Sequence, residues 1–351
     1  MDRELRRIVF TGPEQAEVET VPFDPSLEPD MALLRTRWSL LSPGTELAVY
    51  TDRHDIGHGG GKRFPAYPGY AAVGVIEAVG SAVNNLSPGD RALAVTGHCS
   101  LAKFKPAQTF CLRLPDDIRD DHATFIRMAL IALATLCQAD IRAGEWLGVV
   151  GLGIVGNLGA QFGLQAGLNV VGVGRSSLRS DIAARCGIAP ILSGAPDTIA
   201  ERVREITGGA GCRLVLDTSG TAGGLLTAVA LAADGGVISL VGVPWESDPT
   251  VAATSIMQPI FSRYLTLQGG WEWSLPLYTR DAERRLPMLP PRHSIEQNAR
   301  LALDLIRSGR VQVEPLITHR IAPEAIQDTY QGLLRQRHEV LGALIDWNED
   351  R

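Results

Sequence analysis

Residues 146–165 read WLGVVGLGIVGNLGAQFGLQ, and this stretch decides the fold. Leu147 to Val150 form an apolar run of strand length. Leu158, Phe162 and Gln165 mark the helix that follows. Between them Gly151, Gly153 and Gly156 make G-x-G-x-x-G. The pattern alone is weak because glycine is common; the strand before it and the helix after it give it meaning. The first glycine permits a tight turn, the second lets backbone approach a pyrophosphate, and the third lets helix pack on strand. Ile154 and Val155 open the helix, whose free N–H groups and partial positive charge suit a phosphate.

On either side of this turn, from about residue 123 to 311, strands and helices alternate. ATFIRMALIALATLCQAD reads as a helix, then WLGVV, NVVGVG, RLVLDTSG, GVISLVGV and YLTLQGG read as strands separated by helices. Alternation of this kind means βαβ units and a doubly wound parallel sheet, an α/β domain. ARLALDLIR (299–307) closes the series at helical spacing. Residues 1–122 differ in texture. Short runs such as LRRIVF, ALLRTRWSLL, AAVGVIEAV and DRALAV, punctuated by Gly and Pro, predict a β-rich, partly antiparallel unit. The β texture returns in VQVEPLITHRI, followed by a helix in PEAIQDTYQGLLRQ and a strand in VLGALIDW. Residues 1–122 and 312–351 are therefore expected to build one domain and 123–311 the other. The stretch 271–294, with two Trp, four Pro and four Arg, has no clear period. It reads either as a surface insertion or as a wall of a substrate pocket or a subunit contact.

The tip of the strand NVVGVG selects the cofactor. NAD-binding sites usually place Asp or Glu there to hold the ribose hydroxyls. Here the strand ends in Gly174-Arg175-Ser176. With no carboxylate to repel a 2′-phosphate, Arg175 can grip one bidentately, helped by Ser176 and Arg179. NADP(H) is the expected cofactor, and NAD(H) stays open.

Composition narrows the class. With 45% hydrophobic and 21% charged residues the chain is globular. Its net charge of -6 and lack of a basic run argue against nucleic acid. No apolar stretch reaches the roughly 20 residues of a membrane span, and MDRELRRIVF is too short and too charged for a secretory signal. The five cysteines, an odd number with no CxxC pair, read as reduced thiols of a cytoplasmic protein.

Taken with the glycine turn, several motifs resemble the medium-chain dehydrogenase/reductase superfamily of the alcohol dehydrogenase type. They are Ser42-Pro43-Gly44-Thr45-Glu46, Pro68-Gly69-Tyr70-Ala71 with Gly74, Pro88-Gly89-Asp90-Arg91 and the ending VLGALIDW. The resemblance covers nearly the whole chain. It implies a GroES-like β-rich catalytic domain joined to a Rossmann domain, an active site in the cleft between them, a small-molecule substrate and a homodimer. It also implies that Thr135, Thr218, Ser219, Val241 and Gly242 lie along the cofactor.

The departures from the family pattern carry as much information. Zinc members take their catalytic ligands at positions that here hold Pro43, Tyr70 and Ala71, and the four-Cys structural lobe is missing. Pro and Ala offer no donor, and zinc needs Cys, His or carboxylate. The expectation is an enzyme without zinc. SPGTEL, YPGYAAVGV, LITHR and LIDW are similar to bacteriochlorophyllide dehydrogenases, zinc-free members that oxidise a hydroxyethyl group to a ketone. Asp52, His54, Asp55 and His58 cluster in a polar loop ending GHGGG, which reads as solvated rather than metal-binding.

Without zinc, hydrogen-bond donors must stabilise the substrate oxygen while hydride moves. Tyr70, at the vacated His position, is the first candidate, as proton donor or acceptor. Thr45 stands at the family's relay hydroxyl and Glu46 at its supporting acid, able to orient Tyr70. The relay His position falls at Ala48, leaving Tyr50, His54 or water to complete a relay. The leading expectation is hydride transfer between the nicotinamide and a secondary alcohol or ketone. Reduction of a quinone or enoyl C=C bond, and an NADPH-binding protein without catalysis, are the rival readings.

Overall fold

The computed structural model describes residues 3–53, 64–137, 139–245, 247–278, 293–335 and 339–348. The chain divides into two compact units, residues 1–127 with 317–351, and residues 128–316.

In the first unit, β1 (Arg3–Gly12) and β2 (Gln15–Phe23) form an antiparallel pair of their own. Then come β3 (Ala32–Leu40), α1 (Pro43–Tyr50), β4 (Ala72–Val79), β5 (Arg91–Ala94), β6 (Leu101–Phe104), β7 (Cys111–Arg113) and α2 (Asp120–Ala123). Helix α3 (Phe125–Cys137) begins here and runs into the second unit. The unit resumes with β14 (Ile317–Ile321), a helix over Ile326–Arg335 and β15 (Gly342–Asp346). Seven strands share one sheet in the order β14-β15-β3-β4-β5-β7, with β6 paired to β3. β15 lies antiparallel beside β3, so the two ends of the chain meet in one sheet. Ile8, Phe10, Leu41, Tyr50, Ile326, Tyr330 and Trp347 build a core against α1 and the Ile326–Arg335 helix. At its centre Phe10, Tyr50 and Tyr330 pack with ring centroids 5.0–5.2 Å apart. Such pairs contribute about 0.5–1.5 kcal/mol each beyond the area they bury.

The second unit holds β8 (Trp146–Val150), α4 (Ile154–Gln165), β9 (Asn169–Val173), α5 (Ser177–Arg185), β10 (Ile191–Leu192), α6 (Pro196–Ile206) and β11 (Cys212–Asp217). It continues with α7 (Ala222–Leu231), β12 (Ala232–Leu240), α8 (Thr254–Ser262), β13 (Thr266–Gly269) and a helix over Ile295–Arg307. Its six strands are parallel in the order β10-β9-β8-β11-β12-β13. Numbered from β8 this is 3-2-1-4-5-6, the doubly wound order whose ligand site lies at the strand ends beside the first strand. The central strands are buried on both faces, which is why WLGVV, NVVGV and CRLVLD read as apolar runs rather than alternating ones.

Two stretches depart from the sequence reading. VQVE is not a strand: Val311 and Val313 are buried in irregular chain, a 3-10 turn spans Glu314–Leu316, and the strand starts only at Ile317. Pro315 has no N–H to give a ladder, so pairing begins beyond it. In the 271–294 stretch a 3-10 turn covers Glu272–Ser274, and residues 279–292 lie outside the described residues. Among the described residues no helix is long and apolar enough to cross a membrane.

Candidate active site

In the first unit the chemistry gathers around the N-terminus of α1. Pro43 takes the first helical position, where its missing N–H costs nothing. Ser42 is the N-cap residue, yet its hydroxyl makes no cap bond. It hydrogen-bonds instead to the Tyr70 hydroxyl. Tyr70 follows the cis-free turn Pro68-Gly69, and the Arg127 guanidinium of α3 stands 4.8 Å from its ring centroid. Burial and the neighbouring Glu46 carboxylate raise the Tyr70 pKa above the usual phenol value; Ser42, Arg127 and Thr45 oppose that shift without cancelling it. Tyr70 is thus a neutral phenol at pH 7, a group that can donate a proton.

Glu46 is buried, at 3% exposure. Its Oε2 accepts from the Tyr330 hydroxyl at 2.7 Å, and its Oε1 lies 3.2 Å from His98 Nε2. His98 Nδ1 lies 2.8 Å from Ser39 Oγ, which accepts from Trp347 Nε1 at 2.9 Å. Burial and the Glu46 charge drive the Tyr330 phenol far above its ordinary pKa, so it stays a donor. Thr45, Glu46 and Tyr70 therefore come together as one cluster. His54 lies outside the described residues. Tyr50 is not available as a relay: it is fully buried, donates to the Glu14 carbonyl and receives Gln331. The sequence reading missed Ser42, Ser39, His98, Arg127, Tyr330 and Trp347. Only Arg127, a lone cation in the apolar helix FIRMALIAL, carried a local signal.

In the second unit the glycine turn has the geometry its spacing predicted. Gly151 sits at φ +93°, between β8 and α4. A Cβ on Gly156 would lie 1.9 Å from the Gly151 carbonyl oxygen, whereas a Cβ on Gly153 would meet nothing within 4 Å. Helix and strand thus close on one glycine and leave open space at the other, as backbone binding of a pyrophosphate requires. Ile154 and Val155 form the first turn of α4. At the end of β9, Gly174 leads to an exposed Arg175, and Ser176 caps α5 by accepting from the Arg179 amide. No carboxylate occurs from Gly174 to Ser180.

The other residues expected along the cofactor have structural partners. The Thr218 hydroxyl faces the carbonyls of Val150 and Gly151 at 3.1 and 2.6 Å, latching the turn. Ser219 donates to Asp217 Oδ1 at 2.6 Å. The amides of Val241 and Gly242 both reach the Asp217 carbonyl at 2.9 Å. Thr135 is buried in α3 and donates to the Ala132 carbonyl at 2.7 Å. Burial raises the Asp217 pKa. Burial also pushes the thiols of Cys99 and Cys212 up to about 12, which excludes them as nucleophiles at neutral pH.

Comparison with known proteins agrees with this geometry. Residues 29–115 match the alcohol dehydrogenase GroES-like domain, and residues 155–284 match the zinc-binding dehydrogenase family. Together the two matches cover more than half of the chain. The chain belongs to the medium-chain dehydrogenase/reductase superfamily. An alcohol dehydrogenase of Geobacillus stearothermophilus is 27% identical over 53% of this chain and 64% of its own. D-guloside 3-dehydrogenase of Shigella flexneri is 32% identical over 49% of this chain and 50% of its own. The chain thus aligns with only about half to two-thirds of the length of these relatives. Among solved structures, a zinc-binding dehydrogenase of Sinorhizobium meliloti 1021 bound to NADP superposes with a TM-score of 0.75, at 17% identity, over 98% and 99% of the two chains. A short chain alcohol dehydrogenase of Escherichia coli CFT073 with NADH gives 0.76, at 18%, over 98% and 99%. At such identities the likeness is one of fold. In this chain Pro43 and Ala71 have no ligating side-chain atom, and the Tyr70 hydroxyl is engaged by Ser42.

Proposed function

We propose that the protein is an NADP(H)-preferring oxidoreductase that works without catalytic zinc, moving hydride between the nicotinamide and the carbon of a secondary alcohol or ketone. In the reductive direction hydride goes to the carbonyl carbon and a proton from Tyr70 goes to its oxygen. The alcohol leaves with both, and solvent reprotonates the phenolate. The observation that carries this reading is the Tyr70–Ser42 bond beside Glu46, with Pro43 and Ala71, which offer no donor, at two of the positions where the family resemblance puts the metal ligands. Those positions are a poor fit to the metal in the matched family's description. When bound, the nicotinamide supplies the hydride; the Gly151–Gly156 turn would hold its pyrophosphate and Arg175 its 2′-phosphate. Relatives solved with NADP and with NADH leave the choice to the β9 tip, where Arg175 and the lack of a carboxylate favour the phosphate.

The test is turnover of ketone, quinone and enone panels with NADPH and NADH on protein treated with a chelator and checked by elemental analysis. Ketone reduction with NADPH by metal-free protein supports the reading. Activity that follows one zinc per chain, or a preference for NADH, overturns it. Turnover of quinones or enones alone would move the activity to C=C reduction.

A homodimer in the cytoplasm completes the proposal. β13 is the edge of its sheet, and Met257, Phe261, Tyr264 and Trp271 around it are 64–85% exposed. An exposed edge with a large apolar surface suits pairing with a second copy across a two-fold axis. Light scattering of Phe261→Asp checks this: a dimer that falls to monomer fits, and a wild-type monomer does not.

A further inference from the structure

We propose that His98 is a positioning residue for the Tyr70 site, locked as the neutral Nε2–H tautomer between Ser39 and Glu46 so that the Glu46 carboxylate keeps one orientation beside the Ser42–Tyr70 pair. The inference rests on the reading of Tyr70 as proton donor.

Hydrogen-bond accounting fixes the tautomer. Trp347 Nε1 can only donate, and it donates to Ser39 Oγ at 2.9 Å. Ser39 is fully buried. Among the described residues, its own hydroxyl hydrogen has one acceptor within reach, His98 Nδ1 at 2.8 Å. Nδ1 therefore carries no hydrogen, and the imidazole hydrogen sits on Nε2, which faces Glu46 Oε1 at 3.2 Å. The second oxygen of Glu46 receives Tyr330 at 2.7 Å. The result is a directed chain: Trp347 to Ser39 to His98 to Glu46, with Tyr330 closing on the same carboxylate. An imidazolium would point N–H at a serine whose hydrogen then has no acceptor, and buried polar groups are rarely left so.

The imidazole is also fixed in place. The His98 amide donates to the Pro68 carbonyl, and its carbonyl accepts from Ile8 of β1. The ring lies so close to Gly69, at φ +102°, that a Cβ there would be 2.7 Å from His98 Cγ. Position 69 directly precedes Tyr70, so the imidazole and the phenol hang on one turn. On the other side, the Glu46 amide donates to the Ser42 carbonyl, and Ser42 holds the Tyr70 hydroxyl. The groups facing Tyr70 are Ser42, Thr45 and Glu46 from the α1 end and Arg127 from α3, with Tyr330 acting on the far side of Glu46. The Glu46 charge opposes ionisation of the phenol, and His98 keeps that charge where it does so.

The experiment uses the full chain labelled with 15N-histidine and 13Cζ-tyrosine, and needs no substrate for its first two readouts. Two-bond proton–nitrogen correlation at pH 7 should show His98 protonated on Nε2 and bare on Nδ1, with the signal assigned by its loss in His98→Gln. The Tyr70 carbon, assigned by Tyr70→Phe, should ionise at lower pH in His98→Leu, where Glu46 has lost its donor and turns away. His98→Gln, whose amide restores an N–H toward Glu46, should return Tyr70 close to wild type. With the substrate found by the panel above, His98→Leu should move the alkaline fall of kcat for ketone reduction to lower pH with KM unchanged, and His98→Gln should restore the wild-type profile. An imidazolium or Nδ1–H pattern in the wild type overturns the proposal, as does a folded His98→Leu variant whose Tyr70 titrates like wild type. If the variants do not fold, the wild-type tautomer alone decides. Absence of any turnover would sink the oxidoreductase reading while leaving both spectroscopic readouts to judge the role of His98.

Discussion

The glycine turn of the second unit and the Tyr70 cluster of the first are built from different material. The turn is backbone: six consecutive residues, Gly151 to Gly156, whose shape comes from a positive φ and the close approach at Gly156. The cluster is side chain: Ser39, Ser42, Glu46, Tyr70, His98, Tyr330 and Trp347, drawn from seven places spread over most of the chain. A backbone site tolerates changes in the side chains around it but not in its glycines. A side-chain site fails gradually, one hydrogen bond at a time. That contrast can be broken or sharpened by experiment.

The largest effect is expected at Gly156→Ala. Its Cβ would lie 1.9 Å from the Gly151 carbonyl oxygen, a backbone atom that cannot swing aside. The turn must open, and NADPH affinity by calorimetry should fall by about two orders of magnitude or more, since the whole pyrophosphate cradle is lost. An affinity close to wild type would mean that the turn is not the cofactor site. Next is Tyr70→Phe, which removes one hydroxyl and keeps the ring. If the phenol donates to the developing oxyanion, kcat should drop about a hundredfold with cofactor affinity unchanged. A rate within about threefold of wild type, with chemistry limiting, would assign the proton to another group.

A related expectation concerns pH. The raised pKa of Tyr70 keeps the proton on the phenol as pH climbs through the ordinary phenol range near 10. Ketone reduction should therefore hold its plateau beyond that range, and an alkaline limb well below it would count against Tyr70. A smaller effect is expected at Arg175→Ala. Losing a charge-assisted bond costs about 1.5–3 kcal/mol, so NADPH binding should weaken by roughly tenfold or more and NADH should bind almost as before. Equal losses for both would remove Arg175 from the 2′-phosphate site.

The smallest effect is expected at Asp217→Asn, which can keep the acceptor that Ser219 uses. Burial raises the Asp217 pKa in the folded state, so the protonated form is the one that folding favours. Its contribution is fully present below the unfolded value near 3.9 and is lost as pH rises through the folded one. The Asn variant should match wild type near pH 3.5 and melt about 2 °C higher at pH 7, a gain of about 0.5–1 kcal/mol for a unit of this size. A lower melting temperature at pH 7 would show that the carboxylate itself is needed at the end of β11.

The difference between the two regions also explains what could be read without coordinates. The parallel sheet and the glycine turn were legible because local constraints write them. A buried strand needs an apolar run, a tight turn needs glycine, and a helix packed on a strand needs one more, all within a few residues. Tyr70, Thr45 and Glu46 were legible only through the motifs around them. His98 and Tyr330 left no trace in sequence, because a lone His in a β-rich segment or a Tyr on an amphipathic helix is most often ordinary core. VQVE was misread for a related reason: its apolar spacing fits a strand, and the effect of Pro315 on pairing outweighed it.

By itself, then, the sequence determined where backbone conformation is forced: the strand alternation, the Gly151–Gly156 turn and the uncharged tip of β9 before Arg175. Tertiary structure alone decided which polar side chains face one another. A hydrogen bond between Glu46 and Tyr330, or between Ser39 and Trp347, joins residues about 300 positions apart in the chain. Their meeting depends on β15 pairing with β3 and on the last helix packing over Phe10 and Tyr50. Hydrogen bonds act over about 3 Å, and no local pattern records which distant residues folding will bring that close.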